Sequence, residues 1–171
     1  SSTYDMDNDG DVDIVDITMV TYNYGWTCGK DQLETIDFSD FRNDQVALSI
    51  KEGEANSENN ILEAQLFIEN IEQLGGFELG LEFNAKRIQI VEVSSGDFLT
   101  SNQRHTMLIK NEMEAASGSI LFAETSIGGK ESGAFGAGQL VNIKYKSLDG
   151  NPADFTISDG QLARIDGQVI P

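Results

Sequence analysis

Beyond residue 45 the chain alternates between apolar and polar side chains in short stretches. Phe77, Leu79, Leu81 and Phe83 are interleaved with Glu78, Gly80, Glu82 and Asn84. A period of two puts the first set on one face of an extended strand and the second on the other. Leu62, Ala64, Leu66 and Ile68 form a second stripe, Val46, Leu48 and Ile50 a third, and Val141, Ile143 and Tyr145 a fourth. Ile120 with Phe122, and Phe155 with Ile157, are shorter examples. Ile88 and Ile90 change phase into Val91 and Val93, which predicts a β-bulge. Gly, Asn, Asp and Ser separate the stripes. The pattern predicts about nine strands in an antiparallel β-sandwich with one apolar face per sheet. No helical period follows residue 45, and no unit repeats at a fixed spacing.

The first 44 residues follow another rule. They hold 11 acids and 2 bases, a balance of −9, which is half of the −18 carried by all 171 residues. Six of those acids fall between Asp5 and Asp16. In Asp5-Met6-Asp7-Asn8-Asp9-Gly10-Asp11-Val12-Asp13-Ile14-Val15-Asp16, carboxylates occupy positions 1, 3, 5, 9 and 12 of a twelve-residue loop, with Gly at 6 and an apolar residue at 8. That is the spacing of a calcium loop, because calcium takes six to eight oxygen ligands and a curled loop brings alternate side chains together. Asp5, Asp7, Asp9, Asp13 and Asp16 are candidate side-chain ligands, Asp13 directly or through a water. Asp11 would offer its backbone carbonyl. Without a cation these neighbouring carboxylates repel. Apolar residues at Ile14, Ile17 and then Val20 or Tyr24 predict a helix from Ile14 to Tyr24, with Gly25 as its stop. Ile14, Val15, Ile17, Met19, Val20, Tyr22, Tyr24 and Trp26 are too many apolar groups for one short helix to bury against its own loop. The helix is therefore expected to dock on the same chain's sandwich, on a second copy or on a separate partner.

Charge and composition narrow the function. A chain with a pI near 4.1 repels nucleic acid and anionic membrane surfaces, so neither is an expected partner. No apolar run has the length of a membrane span, and the N-terminus does not read as a signal peptide. Cys28 is the only cysteine, which excludes an internal disulfide framework and leaves a free thiol or an intermolecular pair. His105, the only histidine, reads as a surface residue at a strand start. The pairs Glu52 with Glu54 and Glu112 with Glu114 could suggest a glycosidase but read as solvated loops. Gly128-Gly129 and the stretch from Gly133 to Gly138 lack the Lys-Ser/Thr ending of a phosphate loop and read as flexible turns. No catalytic residue is assigned. A sugar-binding platform wants exposed Trp or Tyr faces. Residues 45–171 hold no Trp and a single Tyr, Tyr145.

With its short helix, the Asp-x-Asp-x-Asp-Gly-x-Val-Asp-x-x-Asp loop resembles a dockerin repeat over residues 4–26. That resemblance implies a calcium site closed by Asp16, and partner contacts at Ile14, Val15, Thr21 and Tyr22. Dockerins carry two such repeats in tandem; here there is one. The segment from Ile68 through Gly75-Gly76-Phe77 to Asn84 resembles the early strands of a cohesin domain. Ile88 to Leu99, Gly118 to Ala123, Gly138 to Lys146 and the terminal Ile157-Ser158-Asp159-Gly160 with Ile165 to Ile170 fit in the same order. The cohesin resemblance covers about residues 45–171 and implies a nine-stranded jelly roll that binds a dockerin on one sheet face. The expected organisation is a calcium repeat over 1–27, a linker over 28–44 and a cohesin-like sandwich over 45–171. The expected role is a noncatalytic interaction or scaffolding module of a cellulosome-like assembly, secreted or at the cell surface. The alternative is a carbohydrate-binding sandwich with a structural calcium loop.

Overall fold

The computed structural model describes residues 4–22, 46–52, 61–127 and 133–170. Among them the fold is mainly β, with one helix, α1 (Ile14–Tyr22), and eight antiparallel strands. The strands are β1 (Ala47–Glu52), β2 (Ile61–Glu82), β3 (Ile88–Ser95), β4 (His105–Glu114) and β5 (Ser119–Ile127). β6 (Ala134–Ser147), β7 (Thr156–Arg164) and β8 (Val169–Ile170) complete the set.

β2 explains why eight strands stand where about nine were expected. The stripes that start at Leu62 and at Phe77 are two halves of one 22-residue strand. Its pairing slips between Ile68 and Ile71 and again between Ile71 and Leu74. Asn70 and Gln73 sit there at φ 59° and 62°, so the strand bends without ending. The first half pairs with β1 and β6, and β6 in turn with β3. The second half lies between β5 and β7, with β4 beyond β5 and β8 beyond β7. One strand thus serves both layers of the sandwich. The expected bulge in β3 is present as a register shift between Ile90 and Glu92 against β6.

The apolar stripes fill the space between the layers. Leu66, Ile68, Phe77, Leu79, Leu81 and Phe122 are all buried there. The Phe77 and Phe122 rings stack 6.2 Å apart, and Tyr145 meets Phe155 edge-on at 5.4 Å. Tyr145 belongs to this core. Its hydroxyl donates to Glu52 Oε2 at 2.7 Å and accepts from the Ala153 N–H at 3.1 Å. Burial, together with the Glu52 carboxylate, pushes its pKa up to about 12, against the pull of the Ala153 N–H. Tyr145→Phe leaves the buried Ala153 N–H without its acceptor. The expected loss is about 1 to 3 kcal/mol in a urea titration, with the slope unchanged.

Two readings of local sequence are corrected. Glu112 and Glu114 do not lie in a loop: both are on β4, exposed on an edge strand that pairs with Leu121 and Ser119 of β5. The stretch from Gly133 to Gly138 is not a free turn, since β6 begins at Ala134 and pairs Gly136 with Ile71 and Gly138 with Ile68. A Gly-rich strand carries no alternating pattern to read, which hid this one. His105 opens β4 and is exposed, as expected. Cys28, Trp26, Gly25, Glu54 and Gly128-Gly129 lie outside the described residues. No helix among the described residues is long and apolar enough to cross a membrane.

Candidate functional site

The acidic loop folds as its sequence dictates. Asn8 and Gly10 take positive φ, 62° and 107°, and Gly10 makes the sharp turn that a side chain would strain. Asp7 Oδ1 accepts from the Asp9 N–H at 3.2 Å, and Asp9 Oδ1 from the Asp11 N–H at 3.0 Å. These short-range bonds curl the loop inward. Carboxylate oxygens of Asp5, Asp7 and Asp9 then lie within 4.8 Å of one another. Asp5 Oδ1 is buried and has no hydrogen-bond donor among the described residues. Desolvation, reinforced by the charges of Asp9, Asp16 and Asp13, holds the Asp7 carboxyl above its usual range, against the pull of the Asp9 N–H.

The other three acids lie outside that cluster and also accept from the backbone. Asp11 Oδ1 takes the Val12 N–H at 2.8 Å. Asp13 Oδ1 takes the Val15 N–H at 2.8 Å, and Asp16 Oδ2 takes the Asp13 N–H at 2.9 Å. Together the two bonds cap the start of α1, Asp13 as the N-cap and Asp16 reaching back to the Asp13 N–H as in a capping box. Asp16 Oδ1 also accepts from the Met6 and Asp7 N–H groups, so one buried carboxylate ties the loop entrance to the helix. Burial alone would raise the Asp16 pKa; the backbone N–H groups of Asp13, Met6 and Asp7 outweigh it and hold the carboxyl below its usual range.

α1 lies on the outer face of the layer formed by β5, the second half of β2 and β7. Ile14 and Val15 are fully buried and pack with Ala123 of β5 and Ala163 of β7, flanked by Met19 and Ile109. One turn on, Thr18 Oγ1 donates to the Ile14 carbonyl and sits 3.1 Å from Thr125 Oγ1. Thr21 Oγ1 lies 3.3 Å from the same hydroxyl. The sheet is trimmed for this approach. A Cβ on Gly76 would fall 2.5 Å from Thr18 Oγ1, and one on Gly167 would overlap Met19. On the opposite side of the helix Val20 is exposed.

The four residues expected to contact a partner are therefore placed plainly. Ile14, Val15 and Thr21 are buried and Tyr22 is half-buried. The face formed by Ile14, Val15 and Thr21 meets the chain's own sheet. Of the acids, Asp5, Asp7 and Asp9 converge, and Asp7, Asp9, Asp11, Asp13 and Asp16 each accept from a backbone N–H. The receiving surface was missed in the sequence. Its signal was present in β5, where the small, uncharged Ala123 and Thr125 take the outward positions after the core residue Phe122; outward positions of an uncovered strand more often carry charge. Beyond α1 the same face opens into a cleft lined by Asp11, Asp13, Glu78 and Asp159. Lys110 holds Glu78 there with both carboxylate oxygens at 3.0 Å.

A two-layer antiparallel sandwich with one outer face shaped to seat a helix has the form of a protein-docking module. The chain belongs to the cohesin family, whose domain model matches residues 46–169. Cohesin domains are protein–protein interaction modules. The matched span begins after the acidic loop and α1. Among solved structures, the second type II cohesin module of the adaptor scaffoldin ScaA of Acetivibrio cellulolyticus is similar, with a TM-score of 0.61 and 16% identity over 73% of this chain and 88% of that one. A chain from a type II cohesin–X-dockerin complex of the same organism, an interface mutant, gives a TM-score of 0.60 and 12% identity over 74% and 91%. A non-cellulosomal cohesin from the archaeon Archaeoglobus fulgidus gives 0.51 and 17% over 72% and 83%. At these identities the likeness is one of fold. Comparison with curated proteins returns no match.

Proposed function

We propose that this chain is a noncatalytic docking module of a cellulosome-like or cell-surface assembly, and that residues 4–26 are a dockerin-type calcium repeat. The observation that carries the reading is the seat of α1: a helix led by a calcium-type loop rests on the outer sheet face of a cohesin. One of the similar structures is of a cohesin–X-dockerin complex, which gives the kind of partner to test. The donor set suits calcium. Carboxylate oxygens within 4.8 Å of one another can share a single ion at calcium–oxygen distances of about 2.3 to 2.6 Å. Asp5 Oδ1 supplies a buried acceptor that lacks a donor among the described residues. Asp5, Asp7 and Asp9 would hold the ion, with the Asp11 carbonyl, Asp13 and Asp16 as the further candidates. Bound calcium would neutralise their mutual repulsion. A setting outside the cell, where calcium is plentiful, follows from the same reading.

The carbohydrate-binding alternative loses its best residue, because Tyr145 is buried in the core. Capture experiments separate the two. Immobilised chain in calcium buffer is expected to retain dockerin-bearing proteins, and its migration in affinity gels is expected to be unchanged by polysaccharide. Retarded migration with no dockerin capture would reverse the assignment.

A further inference from the structure

Met19 is where α1 meets the turn between β7 and β8. Its side chain is half-buried and packs against the cluster of Ile14, Val15, Ala123 and Ala163. Beneath it lies Gly167, where a Cβ would overlap the Met19 Cγ. The methionine fills the space that the glycine leaves. The turn below is pinned. Arg164 holds the Asp166 carboxylate through Nε at 3.0 Å and Nη2 at 2.7 Å, and Nη2 also donates to Gln168. The Gly167 N–H donates to the Arg164 carbonyl and the Arg164 N–H to the Gln168 carbonyl, both at 2.8 Å. The Ile165 N–H donates to the Gln73 carbonyl at 2.8 Å, and a Cβ on Gly75 would collide with the Ile165 backbone. A floor tied to β2 in this way does not move aside. Any enlargement of Met19 therefore acts on α1, a nine-residue helix that depends on packing for its stability.

We propose that Met19 is an oxidation-sensitive latch, and that conversion of its thioether to the sulfoxide unseats α1. A thioether suits the gap because it is unbranched, flexible and apolar. The sulfoxide is larger and polar, and it disrupts packed contacts. The co-reactant is a peroxide. A sulfur lone pair attacks one oxygen of hydrogen peroxide, the S–O bond forms as the O–O bond breaks, and water leaves. Sulfur loses the two electrons that the peroxide gains. Partial exposure of Met19 gives the oxidant a path, and methionine sulfoxide reductases make the change reversible. Met6, Met107 and Met113 are exposed, so their sulfoxides stay in water. The latch is a property of the chain alone and does not rest on the docking of a partner.

The test titrates the full chain with hydrogen peroxide in calcium-containing buffer. Mass spectrometry of peptides follows each methionine, and hydrogen exchange follows residues 14–21. Sulfoxide at Met19 is expected to speed exchange across residues 14–21 by about tenfold or more, with the inner strands unchanged and the reductases restoring protection. Met19→Leu, close in volume and inert to peroxide, is expected to keep its protection through the same treatment. Met19→Gln, polar and compatible with a helix, is expected to lose protection without any oxidant. Complete oxidation of Met19 with α1 still protected would overturn the inference. So would a Met19 that stays reduced after the three exposed methionines have converted, or undiminished protection in Met19→Gln. Equal loss of protection in oxidised Met19→Leu would also overturn it, because the effect would then belong to the exposed methionines.

Discussion

Phe122→Ala is expected to cost the sandwich about 3 to 5 kcal/mol, a large share of the roughly 5 to 15 kcal/mol that holds a domain together. Phe122 is fully buried on β5 and stacks on Phe77 of β2 at 6.2 Å. Both rings come from strands in the middle of their layer, so the surrounding backbone cannot collapse easily into the space left behind. The same change should reach the outer face. β5 carries Ala123 and Thr125 immediately after Phe122, and these seat α1. A shift of β5 inward would draw that floor away from Ile14, Val15 and Thr18. Urea titration followed by tryptophan-independent circular dichroism measures the cost. Hydrogen exchange of residues 14–21 reports the loosened helix before global unfolding. A loss below about 1 kcal/mol would mean that the site repacks freely and that the stack is not a pillar of the core.

The layers, the bulge in β3 and the inward residues were legible because each rests on a period of two set by burial on one side. The long β2 was not. Its two stripes are joined through Asn70 to Gln73, where positive φ values and register slips break the period without ending the strand. The stretch after Gly133 was hidden for the opposite reason, since glycine contributes no pattern. At the site, the acidic loop could be read residue by residue because side-chain ligands must recur at fixed offsets. Which acids converge could not, since a carboxylate can turn toward an ion or toward a backbone N–H at equal spacing. Asp13 and Asp16 do the latter as a capping pair. The helix was expected to need cover, and the excess of apolar side chains from Ile14 onward was the reason. That the cover is the chain's own β5, β2 and β7 depended on small residues, Gly76, Ala123, Ala163 and Gly167. Their meaning is spatial: each is unremarkable in sequence and matters only because a helix stands over it.

Asp5→Ala combined with Asp16→Ala is expected to abolish calcium uptake and to release α1 while the sandwich stays folded. Asp5 brings the unpartnered buried oxygen to the carboxylate group. Asp16 gathers the backbone N–H groups of Met6, Asp7 and Asp13, so its loss opens the loop and uncaps the helix together. Losing such a cap costs about 0.5 to 2 kcal/mol on its own. A nine-residue helix has little to set against that, because isolated helices of this length are marginal in water. Its remaining hold is the burial of Ile14 and Val15, worth about 1.5 to 3 kcal/mol each while the first turn keeps its shape. The loop and the sandwich do not have fully separate cores: Ala123 and Ala163 belong to the sheet and pack against the helix. The effect on the sandwich should still be small, since both are on its outer face and its inner core keeps Phe77, Leu79, Leu81 and Phe122. Calorimetry with calcium gives the first readout, hydrogen exchange of residues 14–21 the second, and the melting temperature of the sandwich the third. Chelator added to the unaltered chain should reproduce the exchange pattern. Unchanged calcium uptake in the double variant would remove the calcium assignment, and lost uptake with α1 still protected would show that the helix keeps its seat without the ion.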